Sequence, residues 1–109
     1  MEISTGQVVT VFRSRLRPEA KGAYGPDAAA ISALARTMPG YVEHKAFTAE
    51  DGERVTLVTF ADAASHAAWR DHPEHRAAMR RGVEGYYDAY SIQVGTTSYA
   101  SSFVRETGA

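Results

Sequence analysis

The densest run of chemically capable side chains is Trp69-Arg70-Asp71-His72-Pro73-Glu74-His75. It holds the chain's one tryptophan and two of its four histidines. Imidazoles titrate near neutrality, so His72 and His75 are candidates for taking and giving a proton. Trp69 offers a flat plate for an aromatic ligand. The bland reading of the same residues is a buried tryptophan with two surface histidines beside a helix cap. A metal site would have to add His44 or Asp71 to His72 and His75. The i, i+3 spacing across a proline break suits two ligands on one face poorly, and no third ligand is set by spacing, so no metal is expected.

Further candidates lie elsewhere. His44 shares strand parity with Val42 and Ala46, so it is either a satisfied core residue or a third proton-handling group. Tyr24 precedes Gly25-Pro26, where a helix end would set its hydroxyl over a sheet. Tyr86, Tyr87 and Tyr90 are packing residues, one of which, Tyr86, is the candidate to orient a ligand oxygen. Phe12 and Met79 are apolar candidates for the pocket wall. There is no phosphate loop, no nucleophile elbow, no dinucleotide glycine pattern and no carboxylate dyad.

These side chains need elements to position them. Val8 to Leu16 alternates as a strand that Pro18 ends. Glu19 to Met38 has helical spacing, with Tyr24, Ala28, Ile31, Leu34, Ala35 and Met38 on one face. Gly25-Pro26 leaves two options, a helix that starts at Pro26 or one kinked there. Pro39-Gly40 stops it. Tyr41 to Ala49 and Arg54 to Phe60 form a hairpin about Asp51-Gly52. Asp62 caps a helix over Ala63 to Asp71. Pro73 opens another, predicted to run to about Asp88, and Tyr90 to Phe103 is the last strand.

The order β-α-β-β-α-β is the ferredoxin-like split βαβ arrangement, an α+β fold with a four-stranded antiparallel sheet. Helices cover one sheet face. The other, expected to carry Val9, Val11, Val58 and Phe60 or their alternates, has no cover within the chain. A second copy facing it would make a dimeric α/β barrel, with the last strand extended onto the partner.

Composition supports one small domain over residues 1–109, with its core at about 8–103. The chain has 109 residues and a formal charge of −1, which gives no field for gripping nucleic acid. It has no cysteine, which removes disulfides and thiol chemistry. No apolar run is long enough to span a bilayer, and Met1 to Gly6 has no signal-peptide pattern, so a cytoplasmic location is expected. Hydrophobic residues make up 44 %, but 19 of them are alanines, which bury little area. The 11 aromatics must therefore supply much of the core and of any pocket, and a thin core favours self-association.

Four segments in order carry a resemblance: Met38-Pro39-Gly40-Tyr41, Asp51-Gly52-Glu53-Arg54-Val55-Thr56-Leu57-Val58, Trp69-x-x-His72-Pro73-x-His75, and Gly85-Tyr86-Tyr87-x-x-Tyr90-x-Ile92-Gln93-Val94. Together they resemble the antibiotic biosynthesis monooxygenase family over roughly Val8 to Tyr99. The resemblance implies a dimeric barrel of ferredoxin-like units. It also implies a cofactor-independent monooxygenase that oxidises an anthrone- or quinol-type aromatic with O₂. The protein would supply an apolar slot, a proton acceptor and hydrogen bonds to developing charge, with neither metal nor flavin. Trp69 and Tyr24 would wall the slot, and His72, His75 and His44 would handle protons. The anthrone oxygenases of the family carry an Asn one turn before the Trp and a Tyr six residues after it. Ser65 and His75 stand there in this chain, which makes Ser65 a candidate contact and His75 a candidate proton acceptor. Haem-degrading relatives use an Asn on the first strand and a haem-ligating His about ten residues past the Trp. Ser14 and Met79 stand at those positions and argue against haem. A non-oxidative cyclase or isomerase, or a binding protein without catalysis, are the alternatives within the same fold.

Overall fold

Antiparallel strand pairing organises the chain, which a computed structural model describes over residues 3–106. The elements are β1 (Val8–Leu16), α1 (Lys21–Ala35), β2 (Tyr41–Thr48), β3 (Arg54–Phe60), α2 (Ala63–Arg70), α3 (Pro73–Arg81) and β4 (Tyr87–Thr96). The strands lie in the order β2-β3-β1-β4, all neighbours antiparallel. This is the ferredoxin-like α+β arrangement expected from the element order.

Local chemistry explains most boundaries. Gly52 takes φ 89° in the β2–β3 turn, and the Asp51 carboxylate accepts from the Glu53 amide at 3.0 Å. Asp62 and Ser65 form a reciprocal capping box at the start of α2. His72 is extended and caps α3, with Pro73 in the first turn, where its missing N–H costs nothing. Gly40 is at φ 81°, and a Cβ there would run into Ser65, so the turn before β2 and the α2 cap are packed backbone against side chain.

Several boundaries differ from the sequence reading. The helix does not start at Pro26: a 3₁₀ turn at Pro18–Ala20 leads into a helix that begins at Lys21 and continues through Pro26 to Ala35. Proline near the start of a helix removes one donor, which here would have reached the Gly22 carbonyl. The helix also ends short of Met38, in tight turns from Thr37 to the Leu34 carbonyl and from Met38 to that of Ala35. Helix α3 ends at Arg81 instead of near Asp88, in a π-type turn over Gly82–Tyr86. Gly82 is buried there, and a Cβ on it would collide with the Tyr87 ring. Strand β4 therefore starts three residues early, at Tyr87, and stops at Thr96 instead of Phe103.

The register also corrects the expected faces. Val8 pairs with Phe60 and Thr10 with Val58, whereas Val9 pairs with Thr59 and Val11 with Leu57. Paired residues share a face. Val58 and Phe60 thus point at the helices, and the uncovered face carries Val9, Val11, Val55 and Leu57. The core is small: Ala35, Val58, Phe60 and Trp69, with Ile31, Leu34, Met38 and Tyr41 packed around them.

Candidate functional site

Short alanine-rich helices over a wide sheet leave room between the layers. A cavity of about 540 Å³ lies there, floored by the sheet and roofed by α1, α2 and α3. That volume is within the ordinary range for small-molecule pockets. The strand register gives the floor a simple order. One rung is His44-Val58-Thr10-Val94, the next Ala46-Thr56-Phe12-Ile92, and the third holds Arg54 beside Ser14. Ile92 and Val94 line the cavity yet are 46 % and 51 % exposed, so the side along β4 is open.

Trp69 forms the end wall at the histidine rung. It is 4 % exposed and packs on Phe60 with centroids 6.2 Å apart. The His75 ring stacks on it at 4.4 Å and 20°. Burial holds the His75 imidazole below its ordinary pKa. Its buried Nδ1 has no partner in hydrogen-bonding geometry; the nearby Trp69 and Arg70 carbonyls offset the effect of burial only in part. His44 also lines the cavity and shares a hydrogen bond with Ser32 Oγ at 3.3 Å. Burial, followed by the Arg36 charge, lowers its pKa as well. A third imidazole completes the group: His66 faces Thr10 Oγ1 at 3.4 Å and is lowered by burial and then by Arg70. Each ring is thus biased towards its neutral form, which can accept a proton at neutral pH.

The other end is aromatic. Tyr24 meets Tyr86 and Tyr87 edge-on at 5.7 and 5.8 Å, and Phe12 meets Tyr87 edge-on at 5.5 Å. Asp27 binds Arg81 through two 2.7 Å contacts and accepts from the Tyr86 hydroxyl at 2.9 Å, which ties α1 to the turn before β4. Arg81 holds the Asp27 carboxyl below its usual range, and the Asp27 carboxylate raises Tyr86. Burial and then Tyr24 push the Tyr87 phenol well above its ordinary value, so it stays a neutral donor.

Of the residues singled out from sequence, Trp69, His75, His44, Tyr24, Tyr86, Phe12 and Met79 all line this cavity. Two do not. His72 is the N-cap of α3, its Nδ1 accepting from the Glu74 amide at 3.1 Å, and it lies outside the cavity wall. Ser65 is spent in the Asp62 capping box and against Gly40. The sequence reading missed His66, Arg54, Thr10 and Asp27. The position of His66 three residues before Trp69 put it on the tryptophan's helix face and was the available signal. Among the described residues, no cluster of three or more His, Asp or Glu side chains is arranged to hold a metal ion.

Comparison with known proteins places this geometry in a family. The model of the antibiotic biosynthesis monooxygenase family matches residues 7–81. The chain belongs to that family. Among curated proteins, it is similar to the uncharacterised protein YqjZ of Bacillus subtilis, with 29 % identity over 99 residues, covering 89 % of this chain and 85 % of the relative. Several solved structures share the antibiotic biosynthesis monooxygenase fold. Rv0793 of Mycobacterium tuberculosis superposes with a TM-score of 0.73 at 17 % identity, covering 94 % of this chain and 100 % of its own. A variant of SnoaB, a cofactor-independent oxygenase of Streptomyces nogalater, gives 0.74 at 16 % identity, covering 86 % and 95 %. At such identities these structures establish the fold alone. No helix among the described residues is long and apolar enough to cross a membrane.

Proposed function

We propose that this member of the antibiotic biosynthesis monooxygenase family is a cofactor-independent monooxygenase that oxidises a phenolic, polycyclic aromatic substrate with O₂. The observation that carries the reading is one cavity in which an aromatic plate, Trp69, adjoins imidazoles biased to the neutral form, His75, His44 and His66. In this mechanism a neutral imidazole takes the acidic proton of an anthrone-type substrate. The resulting anion passes one electron to O₂, and the radical pair combines to a carbon-bound peroxide. The imidazolium returns its proton as the peroxide loses water. The CH₂ carbon has become a carbonyl, one oxygen atom of O₂ is in the product and the other is in water. The apolar walls strengthen each interaction with developing charge by excluding water. Trp69 and Tyr24 hold the ring system, and the Tyr86 and Tyr87 hydroxyls orient a substrate oxygen. SnoaB, as an oxygenase without a cofactor, supports the chemistry by analogy.

The same reading takes the whole chain as one domain of the family, working as a homodimer. The sheet face with Val9, Val11, Val55 and Leu57 has no cover within the chain, which supports pairing with a second copy.

The test is O₂ uptake by purified, metal-stripped protein given anthrones and hydroquinones. Turnover with stoichiometric O₂ loss and no added metal or flavin is expected. Product formed equally fast without O₂ would instead identify a cyclase or isomerase. No turnover, with ligand-induced changes in Trp69 fluorescence, would leave a binding protein.

A further inference from the structure

Arg54 is placed unusually for an arginine. It points to the helix side of the sheet, lines the cavity and lies over the Tyr24 ring at 5.4 Å. Its Nε is buried without a hydrogen-bond partner, and no carboxylate pairs with it among the described residues. Directly across the β1–β3 ladder lies Ser14, 2 % exposed, whose hydroxyl is also buried and unpartnered. Two buried polar groups therefore sit side by side on the ladder, Arg54 lining the pocket and Ser14 behind its lining, and buried polar groups ordinarily find partners.

The wider electrostatics point the same way. The charged residues around the cavity are Arg54, Arg70, Arg76 and Arg80 against one carboxylate, Asp27; Arg70 is paired with Asp71 and Asp27 is bound to Arg81 and Tyr86, which leaves Arg54, Arg76 and Arg80 as the cations of the pocket. The chain as a whole carries −1, so the cationic character is local to this pocket. Position adds a length. Arg54 and Val58 are four residues apart on one strand, which puts the arginine rung roughly 13 Å from the histidine rung.

We propose that the ligand of this cavity is an aromatic acid, a fused-ring compound whose carboxylate pairs with Arg54 while its far ring reaches the Trp69 end wall and the rung that holds His44. This deepens the oxygenase reading and rests on it for the reacting end. The planar guanidinium fork suits a carboxylate, and the pairing would meet the unsatisfied donor. The Tyr24 ring under the guanidinium holds the fork in place. Arg54 is thereby the residue that selects acids over neutral aromatics of the same shape.

The experiment compares two probes by quenching of Trp69 fluorescence and by calorimetry: anthracene-2-carboxylate and its neutral carboxamide. Binding needs no O₂ and no turnover, so failure here is distinct from failure of the oxygenase reading. The wild-type chain is expected to bind the acid at least tenfold more tightly than the amide. In Arg54→Gln the preference should collapse to within about twofold, with amide affinity unchanged, and Arg54→Lys should restore part of it. Equal affinities for the two probes in the wild type would overturn the proposal, as would binding of neither. Preference retained in a folded Arg54→Gln would overturn the assignment to Arg54. Should that variant fail to fold, the wild-type comparison still decides, because an acid preference that persists unchanged in 1 M salt would also exclude an ionic contact.

Discussion

At the scale of single residues, His75 is the sharpest position. Its ring does two jobs, stacking on Trp69 at 4.4 Å and offering a nitrogen that burial keeps unprotonated. Phenylalanine keeps the first and removes the second. His75→Phe should lower the rate of O₂ uptake by about 10²–10⁴-fold, the usual worth of a general base. Urea denaturation should show stability unchanged or slightly improved, since a buried unpartnered nitrogen is removed. A rate loss matched by unfolding would mean that the ring only packs.

The three cavity histidines also predict a pH dependence of stability. His44, His66 and His75 all titrate below their ordinary value of 6.5 when folded. Between the folded pKa and 6.5 the unfolded chain therefore binds more protons than the native one. Stability rises with pH through that window, is fully present above 6.5 and is lost as pH falls. The depressed carboxyls act lower. Asp27, Asp51, Asp62 and Asp71 sit below 3.8, so their contribution is intact above 3.8 and goes only in stronger acid. Thermal melts should show Tm climbing from pH 5 to 6.5 and then levelling. A Tm flat across that range would contradict the buried, neutral state of these rings.

At the scale of elements, the Trp69–His75 segment shows how a motif divides its labour. The break at Pro73 sends the two histidines to different tasks. His75 turns inward on α3, while His72 closes the helix end by accepting from Glu74. His72→Ala should cost on the order of 0.5–1 kcal/mol in urea denaturation, as a lost cap does. Its kcat/KM should stay within about twofold of wild type. A hundredfold fall in kcat/KM at intact stability would return His72 to the catalytic group.

Elements were legible where local chemistry decides them. The Asp51-Gly52 hairpin, the Asp62 cap and the Pro73 start all follow from turn and cap residues, and β1 and β3 have the bounds that their alternation implied. Boundaries went astray where packing decides. Alpha-helical spacing continues past Arg81, but the Tyr87 ring needs the space beside Gly82, and the chain leaves the helix through a π-type turn. Pro26 looked like a boundary because proline is a poor interior residue. One lost hydrogen bond near the helix start was outweighed by packing of Ile31, Leu34 and Ala35 further along.

At the scale of the whole molecule, the radius of gyration is 15.4 Å, against about 13 Å for a compact chain of this length. In the segment after β4, Tyr99, Phe103 and Val104 are each more than three-quarters exposed. Exposed aromatics of this kind and the bare sheet face fit a chain that pairs with a copy of itself. Sedimentation should give twice 11.8 kDa. Placing a charge at the centre of that face, as in Leu57→Lys, should shift the protein to monomer and lower its Tm. A wild-type chain that sediments as a monomer at micromolar concentration would remove the dimer from the proposed function.

The sequence by itself determined the fold class, the family and most of the pocket's aromatic wall. Element order is written in turn and cap residues, and Trp69, His75, Tyr24 and Phe12 were legible as candidates from residue type and position, none of them specific alone. Only the tertiary structure decided which side chains share a space. Strand parity is a two-way choice that the register settles, and it put Val58 with Thr10 and His44 while turning Val9 and Val11 away. The same register set Arg54 beside Ser14, two residues 40 positions apart whose burial without partners no local pattern could reveal. Being buried and being unpaired are properties of a neighbourhood, and a neighbourhood exists only once the chain has folded.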